Sequence, residues 1–111
     1  MNDKLYYTLV SETFNYEDPD AYVSDLALSS EWGDPEDAPI PEERIETLRN
    51  LYMATRRTIK DIAAEAGMSI RQLARHFAIP DCMVDNWSCG SSECPVYTRL
   101  LMQESLGLYK R

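Results

Sequence analysis

Two consecutive segments of the chain share one local grammar, and that grammar leaves helix as the only economical solution. Thr58 is followed three residues later by Asp61, and Ser69 by Gln72. At that spacing a hydroxyl before a helix and an acid or amide in its first turn can satisfy each other's backbone N–H groups. Behind the first cap, Ile59, Ile62, Ala63 and Ala66 fall at i, i+3, i+4 and i+7. Behind the second, Ile70, Leu73, Ala74 and Phe77 repeat the spacing. Each set makes one apolar stripe on an α-helix, with Gly67 as the stop of the first and the second running over about 70–77.

The neighbouring segments extend the pattern. Ile79 can staple to Val84 across the start of a helix over 81–88, which turns Val84 and Trp87 inward and stops at Gly90. Pro95 opens a last helix, with Tyr97, Leu100 and Leu101 expected on its inner side and Gly107 ending or weakening it. Upstream, 42–54 places Ile45, Leu48, Leu51 and Tyr52 on one face, and Glu42, Glu43 and Glu46 sit near the N-terminus that the helix dipole makes favourable to acids. Asp18-Pro19 reads as a cap followed by proline at the first helical position, so a short helix over about 19–29 buries Tyr22, Val23, Leu26 and Ala27. Leu5–Val10 is apolar without a clear period, and strand and buried helical turn are both open there. The expected fold is all-α: a small helical bundle with a short acidic N-terminal extension.

Charge divides the chain. Residues 1–41 carry one basic side chain, Lys4, against ten acidic ones, whereas 42–111 hold ten basic against nine acidic. The net charge of −8 is therefore a property of the first part, and a poor guide to partners. The change of composition coincides with Gly33–Pro41, where three prolines and a glycine interrupt regular structure. The expected organisation is an acidic segment and Pro-rich joint over 1–41, then one domain over 42–111.

A chain of 111 residues suits one compact domain and excludes a multidomain enzyme. No stretch approaches the roughly 18 apolar residues of a membrane span, and Leu5-Tyr6-Tyr7 beside Asp3 is too short for a secretory signal. A cytoplasmic protein is expected. Three cysteines cannot all pair within one chain, so free thiols are expected. His76, Cys82, Cys89 and Cys94 lack the Cys-x2-Cys knuckles of zinc sites, so no metal or other cofactor is expected. The single histidine has no nucleophile-base-orienter set with Cys82 or Asp85, which argues against an enzyme.

The stretch from Ser69 to Gly90 resembles the helix-turn-helix of the Cro and phage-repressor-like (Xre-type) family. Leu73-Ala74, the apolar Phe77, then Val84, Trp87 and Gly90 match its pattern, and Pro95 with Tyr97, Leu100 and Leu101 matches the proline-initiated helix that follows. The resemblance covers about 58–108. The acidic leader and Pro-rich joint also resemble small regulators of bacterial genomes and mobile elements. What the resemblance implies is a sequence-specific transcriptional regulator, such as a repressor, associated with the nucleoid. Its second motif helix would lie in the major groove of double-stranded DNA and present Asp81, Cys82, Met83 and Asn86 to base edges. Asn can make two bonds to adenine, and Met83 or Cys82 can touch a thymine methyl. Backbone contacts are expected from Ser69, Arg71 and Arg75, and from Arg56, Arg57 and Lys60 one helix earlier. A homodimer is implied, because one such helix reads only a few base pairs.

Asp81 and Asp85 set carboxylates against a polyanion. With the acidic leader they motivate an alternative: an adaptor or inhibitor, including a nucleic-acid mimic, that keeps the helical core and binds a basic protein partner. A third expectation is that the leader covers Arg56, Arg57, Arg71 and Arg75 by charge attraction until displaced.

Overall fold

The structure is a computed structural model and describes residues 1–35 and 37–110. All regular structure among the described residues is helical. The helices are α1 (Asp3–Glu12), α2 (Pro19–Ala27), α3 (Glu42–Arg56), α4 (Ile59–Glu65), α5 (Ile70–His76), α6 (Asp81–Cys89) and α7 (Val96–Ser105), with single 3-10 turns at Thr13–Asn15 and Ser30–Trp32. Among the described residues no helix is long and apolar enough to cross a membrane. The chain divides into two compact units, Met1–Thr55 and Arg56–Lys110, a division that falls one helix beyond the composition shift at Pro41.

In the first unit Leu5–Val10 is helical. Asn2 caps α1 by accepting the Leu5 N–H at 2.8 Å, Asp3 stands in the positive first turn, and Leu5 and Leu9, four residues apart, both point inward. Tyr7 is left 74% exposed. α2 starts as its sequence suggests, with Asp18 accepting from the Asp20 N–H and Pro19 behind it. Its Tyr22 is fully buried and organises the unit. The phenol donates to the Leu9 carbonyl at 2.8 Å, and the ring lies 5.3 Å from that of Tyr52 and edge-on to Tyr16 at 5.7 Å. Burial pushes this phenol well above its ordinary range. Tyr52 on α3 donates to the Tyr16 carbonyl at 2.9 Å. α3 buries Leu48, Leu51, Tyr52 and Ala54, whereas Ile45, expected on that face, is 37% exposed.

In the second unit Ile59, Ile62, Ala63, Leu73, Ala74, Val84, Cys94 and Met102 form one buried cluster, with Phe77, Ile79 and Trp87 packed around it. Both capping boxes are present, at Thr58/Asp61 and Ser69/Gln72. α4, α5 and α7 end in the same way. The second residue past the last turn donates back across the terminus, from Met68 to Ala63, Ile79 to Ala74 and Leu108 to Gln103, each at 2.9 Å. This closure needs a left-handed residue, which is Gly67 in α4 and Gly107 in α7 but Ala78, at φ 55°, in α5. A left-handed alanine costs about 1–2 kcal/mol, so the α5–α6 turn keeps its shape against local preference.

α7 differs from its expected orientation. Leu100 is buried, but Tyr97 and Leu101 are 67% and 62% exposed, and Met102 and Gln103 take the inner side. The cause is polar. The fully buried Gln103 accepts from Arg57 Nη1 at 3.0 Å and donates to the Arg99 carbonyl at 3.2 Å, while Arg99 Nη1 donates to the Arg57 carbonyl at 2.6 Å. This closed set fixes the rotation of the helix by hydrogen bonds that an apolar stripe does not encode.

Candidate nucleic-acid interface

The part of the molecule that carries most of the candidate residues is the pair α5 and α6 with the turn between them. Ser69 opens α5: its hydroxyl oxygen accepts the Gln72 N–H at 3.1 Å, and Gln72 Oε1 accepts the Ser69 N–H at 2.8 Å. The Ser69 hydroxyl proton stays available to an acceptor outside the protein. Leu73 and Ala74 are fully buried and anchor α5. Arg71 and Arg75, four residues apart, share its exposed stripe. Their guanidinium groups make no hydrogen bond or ion pair among the described residues. His76 is exposed and sets its ring against the edge of Phe77 at 4.8 Å.

α6 begins without a side-chain cap after Pro80, and the Met83 N–H donates to the Pro80 carbonyl at 3.0 Å. Val84 is fully buried and Trp87, three residues on, is half-buried, so these two hold α6 to the core. Cys82 and Asn86 lie one turn apart on the opposite, exposed side. Met83 is 45% exposed on one flank of that stripe, and Asp81 and Asp85 occupy the other. The exposed face of α6 thus gathers the four residues expected to read bases, together with a second carboxylate. Charge on the pair balances: Arg71 and Arg75 against Asp81 and Asp85.

The candidates on preceding segments part company. Arg57 is half-buried and directs its guanidinium inward, to Gln103 Oε1 and the Leu108 carbonyl. Arg56 at the end of α3 and Lys60 on α4 are exposed. Periodicity does not reveal the partners that hold Arg57. Gln103 and Arg99 lie outside the Tyr97, Leu100 and Leu101 stripe expected to face inward, and no local pattern marks their contact with Arg57.

The cysteines occupy different settings. Cys82 and Cys89 are exposed and Cys94 is buried, all as free thiols. The Ser91 hydroxyl, 3.1 Å from Cys89 Sγ, holds that thiol below its ordinary value, whereas burial pushes Cys94 up. Gly90, at φ 84°, ends α6. Among the described residues no three His, Cys, Asp or Glu side chains come together as a metal site would require.

No protein-family model matches the chain, and neither a curated protein sequence nor a solved structure matches it.

Proposed function

We propose that the Arg56–Lys110 unit is a helix-turn-helix that binds double-stranded DNA in a sequence-specific manner, with α6 in the major groove, and that the chain acts as a transcriptional regulator at the chromosome. The observation that carries this reading is the division of α6 into two faces. Val84 and Trp87 hold it to the core, while Asp81, Cys82, Met83 and Asn86 stand exposed on its outer side next to the unengaged Arg71 and Arg75 of α5. In such a unit the second helix supplies base contacts and the first crosses the phosphates. Asn86 is the adenine reader, Cys82 and Met83 meet thymine methyls, and Asp81 accepts from a cytosine amino group. Ser69, Arg71, Arg75, Arg56 and Lys60 serve the backbone, and Arg57 serves the fold. A homodimer doubles the site, and the exposed Tyr97 and Leu101 of α7 are the apolar surface open to the second copy.

Fluorescence anisotropy of a random duplex and of the gene's own upstream DNA, at several salt concentrations, tests the proposal. The expected result is salt-sensitive binding that prefers the upstream DNA. Asn86→Ala is expected to cost about 1–3 kcal/mol on the preferred site alone. Arg71→Ala is expected to weaken all duplexes alike and to flatten the salt slope by about one. Asp81 and Asp85, which share one flank of α6, favour a second reading, a protein-binding adaptor on the same scaffold. Flat titrations with both duplexes would select it.

A further inference from the structure

We propose that a cleft in the Met1–Thr55 unit is a docking site for a basic, amphipathic segment of a partner protein. This proposal does not rest on the DNA reading of the second unit. The cleft has a volume of about 520 Å3 and is open to solvent between the first turn of α1, the Ser30–Trp32 turn and the start of α3. Met1, Leu5, Trp32 and Pro41 supply its apolar lining, and the exposed Glu31 and Glu43 stand on its rim.

The cleft is built and not a gap in loose chain. The Trp32 indole N–H donates to the Leu26 carbonyl at 2.8 Å, which fixes the ring. Arg44 lies 4.3 Å from the ring centroid, donates to the Ala27 carbonyl at 3.2 Å and grips both carboxylate oxygens of Asp34, the Nη2–Oδ1 bond at 2.7 Å. Among the described residues the one cationic side chain on the cleft wall is therefore neutralised by Asp34, and the two carboxylates Glu31 and Glu43 outweigh the single Met1 ammonium that shares the cleft.

Chemistry selects the occupant. Met1–Thr55 carries three basic residues against thirteen acidic ones, so nucleic acids, phosphorylated ligands and anionic membranes are repelled. A bare cation gains nothing from Leu5, Trp32 and Pro41. A segment that alternates apolar and basic residues uses both features, seating an apolar side chain on Trp32 and Leu5 while Lys or Arg pairs with Glu31 and Glu43. The volume suits one or two such side chains, in the range of ordinary binding pockets. A second copy of this chain is a poor fit, because Arg56–Lys110 holds seven basic residues against six acidic ones, with Arg57 and Arg99 tied inside the fold.

The test uses the full chain and a short helical peptide of Lys and Leu as probe, with a Lys/Ser peptide of equal charge as comparison. Binding is followed by fluorescence anisotropy and by the two tryptophan indole N–H resonances. The expected result is saturable binding of the Lys/Leu peptide that moves the Trp32 resonance and not that of Trp87, with the Lys/Ser peptide about tenfold weaker. E31K/E43K is expected to weaken the Lys/Leu peptide at least about tenfold. S11K/E17K/S24K, which changes net charge by the same amount away from the cleft, is expected to weaken it by less than about threefold. Equal losses in the two variants, an unmoved Trp32 resonance, equal affinity for both peptides or no binding would each overturn the proposal. Sedimentation showing a dimer that E31K/E43K dissociates would also overturn it, by giving the cleft to a second copy.

Discussion

The two units are stitched by bonds of different reach. In Arg56–Lys110 the helix ends are closed locally: Thr58 and Ser69 reach three residues ahead, and the ends of α4, α5 and α7 fold back five residues on themselves. The long-range side-chain bonds of this unit gather on α7, where Arg57 reaches Gln103 and Arg99 reaches Arg57 across more than forty residues. In Met1–Thr55 the organising bonds run from tyrosine hydroxyls to distant carbonyls, Tyr22 to Leu9 across 13 residues and Tyr52 to Tyr16 across 36. Arg44 adds a third, to Ala27, across 17. Local closure lets each helix be specified by its own few residues. Distant closure ties the locally capped helices of the first unit to one another.

The largest expected break falls on the second unit's core. Leu73→Ala removes a fully buried side chain from the cluster that joins α4, α5 and α6, and is expected to cost about 2–5 kcal/mol in urea unfolding followed at Trp87. In the first unit Tyr22→Phe keeps the ring and deletes the hydroxyl that satisfies the Leu9 carbonyl. About 1–3 kcal/mol is expected, read at Trp32. A neutral result would show that the long-range bonds are not what closes this unit. Ser69→Ala takes away one local cap and is expected to cost about 1 kcal/mol. It sharpens the comparison if the loss is confined to hydrogen-exchange protection of α5.

The smallest effect is a pH effect. The Arg44 guanidinium hydrogen-bonded to Asp34 holds that carboxyl below its ordinary range. A carboxylate whose folded value is depressed contributes stability above its unfolded value, about 3.9, and loses it as pH falls through the lower folded value. Acid titration of the Trp32 indole resonance is expected to show this step, and Asp34→Asn to abolish it while leaving Trp87 unchanged.

What the sequence made legible follows the same line. Caps, stripes and stops that close within one or two turns placed α4, α5 and α6 to within a residue, whereas Asp81, Cys82, Met83 and Asn86, which the structure leaves exposed, were named by the helix-turn-helix resemblance alone. The misjudged points are those settled at a distance. The type of α1 was open because its signal is Asn2, outside the apolar run. The rotation of α7 was misread because Gln103 and Arg99 are drawn inward by Arg57, more than forty residues away in sequence. Arg57 itself moved from the candidate surface to the interior for that reason.

The way α6 is mounted has one more consequence. The turn before it is closed by main-chain bonds at Ala78 and Ile79, and the helix is fastened by Val84 and Trp87 alone among its side chains turned to the core. The side chains at positions 81, 82, 83, 85 and 86 contribute nothing to the buried cluster. A library randomised at those five positions should yield mostly folded proteins, so the outer face of α6 can acquire a new vocabulary without a new scaffold.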